Sequence, residues 1–227
     1  MKNCNAPESN TTRRVLPIAC ATALAVAFTV SLPQRAHAGA ISIVVPPVPA
    51  NIAVEAGNTA FLVGHADGTQ NYVCSRAGAG VKYLLFTPEA TLFSDDGKQI
   101  ITHYFSPNPN SSDPNTSPAV VAGGAIRATW QDKDTSTIWA SGAPKDGGAS
   151  STDPQFVAKD AIAWVKLKVV GAEVGPTGGD KLAPTTFVQR LSTQGGLAPS
   201  TGCNSLDDVG NQAFIPYAAD YFFYRHE

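Results

Sequence analysis

The sequence predicts an all-β protein, a single antiparallel β-sandwich or distorted β-barrel with long polar loops. Three observations carry this. Apolar residues recur with period two, most plainly where Val165, Leu167 and Val169 alternate with Lys166 and Lys168, which is the pattern of a strand with one buried and one wet face. Short runs of this kind return along the chain, separated by turn material such as Asp96-Gly97, Gly123-Gly124, Gly147-Gly148 and Gly195-Gly196. No window holds a sustained i, i+3, i+4 apolar pattern with helix caps.

The chain opens on an address. Arg13 and Arg14 precede an apolar run from Val15 to Leu32, and Ala36-His37-Ala38 follows as an A-x-A cleavage site. Together these predict a secretory signal peptide over residues 1–38, cut after Ala38, and a secreted or periplasmic product. Pro33 and the small-residue exit argue against a retained membrane anchor. Thr12-Arg13-Arg14-Val15-Leu16 also resembles a twin-arginine signal, apart from Pro17. The 189 residues that remain suit one all-β domain, residues 59–227, behind a proline-rich lead-in at 39–58. Twelve basic against seventeen acidic residues give this mature chain a net charge of −5, with no electrostatic footprint for nucleic acid or an anionic membrane. No later segment is apolar for long enough to span a bilayer.

In the lead-in, residues 41–45 read as a short edge strand before Pro46, Pro47 and Pro49. Further strands are expected at 60–63, 81–86, 99–105, 126–130, 137–140, 165–169, 186–191 and 220–225. Asp67-Gly68 reads as a turn just after His65. Residues 106–120 (SPNPNSSDPNTSPAV) and 141–153 are too rich in Pro, Ser, Asn, Asp and Gly for core strands and read as solvated loops. In the last strand Tyr221 and Phe223 share one face and Phe222 and Tyr224 the other. A strand apolar on both faces belongs in the middle of a sandwich.

Cys4 and Cys20 leave with the signal, so the mature chain keeps Cys74 and Cys203. In an oxidising compartment two cysteines most simply form one disulfide. Free thiols or metal ligands are the alternative, and no CxxC or Cys-His spacing favours it.

The chain has no G-x-S-x-G elbow, HExxH, Walker loop or EF-hand loop. The glycines of Gly175-Pro176-Thr177-Gly178-Gly179 lack dinucleotide spacing, and no cofactor is expected. Three histidines remain after processing, His65, His103 and His226, and at each a surface or hydrogen-bonded role outweighs a ligand role. His103 is the best placed for chemistry, on one face with Gln99, Ile101 and Phe105 and just before the 106–120 loop. Trp130 and Trp139 flank a turn containing Asp132 and Asp134. Exposed indoles beside carboxylates hold sugars, by stacking on the apolar face and accepting from hydroxyls, and paired aspartates suit Ca²⁺. The plainer reading is a β-hairpin whose tryptophans are core and whose aspartates make the turn.

One resemblance spans nearly the whole mature chain. Gly68-Thr69-Gln70-Asn71-Tyr72-Val73-Cys74 is similar to the G-x-Q-x-Y-x-C opening of the domain of unknown function 3455 family. The likeness continues through Pro88-Glu89-Ala90-Thr91-Leu92, Asp96-Gly97, His103-Tyr104, Trp130 and Asp134-x-Ser136. It closes on Arg190-x-x-Thr193-x-Gly195-Gly196-x-Ala198-Pro199-x-x-Gly202-Cys203 and Pro216-Tyr217-x-Ala219-Asp220-Tyr221-x-Phe223-Tyr224. Many members follow the histidine closely with Gly-Pro and Trp, whereas here an insertion at about 106–128 separates His103 from Trp130. The resemblance implies a secreted or periplasmic domain with both motif cysteines, and no settled activity. Some fungal relatives carry a malate dehydrogenase label, which no nucleotide-binding fingerprint in this sequence supports.

The leading expectation is an exported, non-catalytic module binding a small molecule or glycan near His103, Trp130, Asp132, Asp134 and Trp139, with the 106–120 loop as a rim. A metal-assisted enzyme using His103 and nearby carboxylates is the alternative. A structural envelope or matrix protein is the third, and burial of both Trp130 and Trp139 would favour it.

Overall fold

The period-two runs of the domain become strands, and three of those strands, the first, second and last, run far longer than the sequence suggested. The computed structural model describes residues 43–106 and 126–227. Among them are β1 (Asn58–Ala77), β2 (Gly80–Phe93), β3 (Gln99–Ser106), β4 (Arg127–Asp132), β5 (Thr137–Ser141), β6 (Ala149–Ser151), β7 (Trp164–Glu173), β8 (Thr185–Gly195) and β9 (Gln212–His226). Neighbours are antiparallel in the order β5-β4-β3-β2-β1-β9-β8-β7-β6, and β5 also pairs with β7. That ladder closes eight strands into a barrel and leaves β6 as a short strand on the edge of β7. Of the two architectures expected, the barrel is the one that forms.

Closure brings β5 against β7 from Thr137↔Glu173 to Ser141↔Lys168. Gly171 pairs with Trp139 there, and a Cβ on it would lie 3.2 Å from Trp139 Cε3, so the missing side chain makes room for the indole.

The turn expected at Asp67-Gly68 does not occur. β1 runs through it, pairing Gly68 with Ala90 of β2 on one side and Tyr217 of β9 on the other. A Cβ on Gly68 would fall 2.1 Å from the Glu89 carbonyl oxygen and 2.6 Å from Ala90 Cα. The glycine marks a close approach of two strands, a second meaning of glycine inside a strand pattern.

The edge strand expected in the lead-in is also absent, since residues 43–45, its described part, join no ladder. Pro46, Pro47 and Pro49 remove backbone donors, and side chains from the barrel wall hold the segment instead. Gln189 Nε2 donates to the Ile52 carbonyl at 2.6 Å, and Lys166 Nζ reaches the Ala53 carbonyl at 3.2 Å and Glu55 Oε1 at 2.9 Å. Within the expected 141–153 loop the chain forms a 3-10 turn, Pro144–Asp146, and the strand β6. Of the 106–120 loop only Ser106 lies among the described residues, and Gly123-Gly124 lies outside them.

Two apolar cores result. The interior is filled by Leu92, Ile101, Trp130, Ile138, Val188, Tyr221 and Phe223 among others. The outer face of β8 and β9 is covered by Ile52, Val157, Ala161 and Trp164, which bury Phe187, Leu191, Phe222 and Tyr224. This is why β9 is apolar on both faces, as its sequence indicated. Cys74 and Cys203 form a disulfide across 129 residues, tying the end of β1 to the β8–β9 connection. Among the described residues no helix is long and apolar enough to cross a membrane.

Gly68→Ala is expected to lower stability by about 3 kcal/mol or more, because the colliding atoms are backbone and cannot rotate away. The denaturation midpoint reads this directly, and wild-type stability in the variant would show that β1 and β2 do not approach so closely. Replacing both Cys74 and Cys203 with alanine is expected to cost up to about 5 kcal/mol by loop entropy. That loss should vanish when the wild type is measured under strong reductant.

Candidate functional site

The insertion between β3 and β4 does not separate the two residues that flank it. The β3–β4 ladder pairs His103 directly with Trp130. Their rings stack at 4.4 Å with an interplanar angle of 7°, and Tyr221 of β9 packs against both, at 5.2 Å and 5.7 Å. Ile101 and Phe105 share the inward side with His103, but Gln99 does not. The β2–β3 register slips at Leu92/Phe93, so Ile100 is buried and Gln99 turns to solvent.

Beside the stack lies a cavity of about 130 Å³, lined from seven of the eight barrel strands. Its apolar wall includes Phe105, Ala128, Val165 and Leu167, and it reaches the surface at Leu85, which is 41 % exposed. Its polar lining is Gln70, His103, Arg190 and the indole edge of Trp130, and no carboxylate lines it. Three of these residues carry buried N–H groups without a hydrogen-bond partner: Gln70 Nε2, Trp130 Nε1 and Arg190 Nε. Elsewhere on Arg190 an Nη donates to the Ala163 carbonyl at 2.9 Å, which fixes the side chain's direction. The Tyr221 hydroxyl is shared with Tyr217 at 3.1 Å, and burial pushes both phenol pKa values up, keeping them neutral.

His103 is held in one protonation state. Its Nδ1 lies 2.8 Å from the Thr129 carbonyl, which only accepts, so Nδ1 carries the proton and Nε2 keeps a lone pair. Burial, reinforced by the Arg190 charge, lowers the imidazole pKa from 6.5 to about 3, against the raising effect of the Thr129 bond.

The acidic turn belongs to a different place. β4 and β5 form the expected hairpin, but Trp130 joins the interior core while Trp139 lies against Gly171 and belongs to neither core. Both indoles are buried. Asp134 accepts from Ser136 N at 2.8 Å, Ser136 Oγ at 2.6 Å and Lys181 N at 2.9 Å. Burial raises its pKa, yet these bonds and the Lys181 charge outweigh it and hold the carboxyl below the usual range. Asp132 accepts from Asp134 N at 3.0 Å and faces Lys181 Nζ at 3.5 Å. Their oxygens pin the segment around Lys181 to the hairpin, away from the cavity lining. Among the described residues no group of three His, Cys, Asp or Glu side chains is placed to hold a metal ion.

A second polar cluster sits on the outer wall. His65, in mid-β1 rather than beside a turn, places Nδ1 2.7 Å from Asp220 and Nε2 2.8 Å from Asp95. The Asp95 bond, then the Asp220 bond, raises its pKa. The three side chains border an open groove of about 490 Å³ beneath residues 43–46.

The family model described as protein of unknown function (DUF3455) matches residues 55–225. The chain belongs to this family. No curated protein and no solved structure matches it. The DUF3455 match reaches every strand of the barrel and ends one residue short of the end of β9. It also explains the two cavity residues that sequence reasoning passed over. Gln70 lies in the G-x-Q-x-Y-x-C stretch and Arg190 opens the R-x-x-T-x-G-G stretch, so the motifs named them without giving them a role.

His103 should stay neutral far below the pH at which a free imidazole protonates. NMR titration of its ring carbons is expected to show no inflection between pH 6.5 and the onset of acid unfolding. A normal inflection near 6.5 would place it in water. Because its folded pKa is depressed, the unfolded chain binds the extra proton first, so stability falls as pH drops from 6.5 towards about 3. The slope is about 1.4 kcal/mol per pH unit, and His103→Gln should remove it. His65 works in the opposite sense. Its raised pKa gives stability that is complete below 6.5 and lost as pH rises through the folded value, so His65→Gln should flatten the alkaline limb of the stability profile.

Proposed function

We propose that this barrel is an exported, non-catalytic binding module that holds one small organic molecule in its interior cavity beside the His103–Trp130 stack. The observation that carries the reading is the cavity itself, an unfilled space of about 130 Å³ whose lining contains three buried N–H groups without partners. Native cores are packed to high density and satisfy their polar groups, so a void of this composition is suited to holding a ligand. Eight-stranded barrels have an interior just wide enough to be filled by side chains or to hold one small ligand. The size matches voids that take up a single aromatic ring.

Of the five residues the sequence suggested for a ligand, His103 and Trp130 belong to this site. Asp132, Asp134 and Trp139 are given structural roles in the hairpin and its neighbouring loop. A glycan stacked on exposed indoles loses its support, since Trp130 is 0 % and Trp139 is 3 % exposed. A metal-assisted reaction at His103 is not favoured, because its neighbours are aromatic rings and Arg190 rather than carboxylates.

The burial of both indoles favours one competing reading, a structural envelope or matrix protein with no ligand, and a single experiment separates the two. Small aromatic fragments titrated into the protein are expected to shift the Trp130 indole N–H and His103 resonances. Ala128→Leu, which fills the cavity from a partly buried position, should abolish the shift while leaving the fold intact. No fragment acting at these resonances, or equal binding to the filled variant, would leave the structural reading in place. Export rests on the N-terminal sequence, and N-terminal sequencing of the protein recovered outside the cytoplasm should begin at Gly39.

A further inference from the structure

Within the binding reading above, on which this step rests, we propose that the ligand is a small carboxylate with a compact apolar body, its charge anchored by Arg190.

The unpartnered atoms on the residues that line the cavity are all donors. Arg190 Nε, Gln70 Nε2 and Trp130 Nε1 are buried and make no hydrogen bond of good geometry, and each belongs to a side chain that lines the cavity. The Gln70 amide and the Arg190 guanidinium approach the Tyr217 and Tyr221 hydroxyls, which are already shared with one another. Gln70 is 2 % exposed and Trp130 0 %, so water outside the barrel does not serve them. Three donors come from three separate strands, β1, β4 and β8, which only barrel closure brings round one space. A ligand with a donor at this end would leave them unmet, whereas one with a cluster of acceptor oxygens would meet them.

Charge narrows the choice further. Arg190 makes no ion pair among the described residues, and no Asp or Glu lines the cavity. A guanidinium with a buried Nε and no counter-charge is costly, and an anion entering beside it would be drawn in by both charge and fork geometry. His103 is neutral, so the cavity supplies one positive charge and matches a monoanion better than a phosphate dianion. The remaining wall is Leu85, Phe105, Ala128, Val165 and Leu167 with the flat His103–Trp130 stack, which suits an apolar or aromatic body of about one ring. The His103 Nε2 lone pair repels nothing on such a body, and it would accept from a hydroxyl if the body carried one.

The test compares matched ligands on the ¹⁵N-labelled protein as its host cell processes it, near neutral pH. Benzoate and butyrate are titrated beside benzamide and benzyl alcohol, which keep the size and lose the charge. Benzoate is expected to move the Trp130 indole N–H and the Arg190 Nε–H together and to bind at least tenfold more tightly than benzamide. Arg190→Met should remove that preference, leaving benzamide unchanged. Because this variant also loses the bond to Ala163 that supports the fold, Arg190→Lys serves beside it and should keep a reduced preference for benzoate. Equal binding of benzoate and benzamide at the Trp130 N–H would overturn the carboxylate assignment and leave the binding barrel standing. No shift with any of the four ligands would overturn both, the three donors then being served by trapped water.

Discussion

The β5–β7 ladder is the contact on which the rest of the molecule depends. Without it, the nine strands form an open sheet with two bare edges, and β4 and β5 have no reason to face β8. With it, eight strands enclose an interior, and residues distant in the chain become neighbours across a space rather than along a surface. The ladder is short and ends where Lys168 and Ser141 meet. Beyond that point β7 turns its free edge to β6, so one strand serves both the closed barrel and the added edge. The small residue at Gly171 is the local condition for this, because the neighbouring indole of Trp139 takes the space of a side chain.

Closure also explains why the barrel needs a second core. The wall formed by β8 and β9 is apolar on its outer side, with Phe187, Leu191, Phe222 and Tyr224 turned away from the interior. Such a surface must be covered, and the lead-in and the segment carrying Val157 and Ala161 cover it. The lead-in has prolines where a strand would need donors, so it docks through side chains. Gln189 illustrates the economy of the arrangement, since its amide nitrogen holds the Ile52 carbonyl and its oxygen accepts from Tyr224. His65, bridged to Asp95 and Asp220 at the border of this cover, adds a charged contact on the same wall.

The interior chemistry follows from dielectric environment more than from residue type. One half-buried cation, one neutral imidazole, two neutral phenols and an amide lie in or beside a water-poor space. In water His103 would be half-protonated near its ordinary pKa; here burial and Arg190 keep it neutral, and the Thr129 carbonyl selects its tautomer. The acidic residues that looked most like ligand groups are spent on the β4–β5 turn, where Asp134 accepts from backbone N–H groups and Asp132 holds the Asp134 N–H through Oδ1 while its Oδ2 faces Lys181. Short polar side chains beside a tight turn bond to nearby backbone by preference, and this pair follows that rule.

The sequence by itself determined where most strands lie, though not how far β1, β2 and β9 run or that the lead-in forms none, because alternation is a local property and each side chain's face follows from its parity. It determined the two-faced burial of β9, the hairpin between Trp130 and Trp139, the pairing of Cys74 with Cys203 and membership of the family. Parity failed where registers slip, as at Gln99, and where glycine has two readings, as at Gly68, since a turn and a close strand crossing both require a missing Cβ. Barrel rather than sandwich was decided only by the tertiary structure, because closure is a pairing between strands that no local pattern encodes. The same holds for the candidate site. Half of it was legible, in His103 and Trp130, whereas Gln70 and Arg190 stood in the sequence only as motif residues without a role. What gives those two residues chemical meaning is the absence of a partner in a buried space, and that depends on what every other strand brings to the interior.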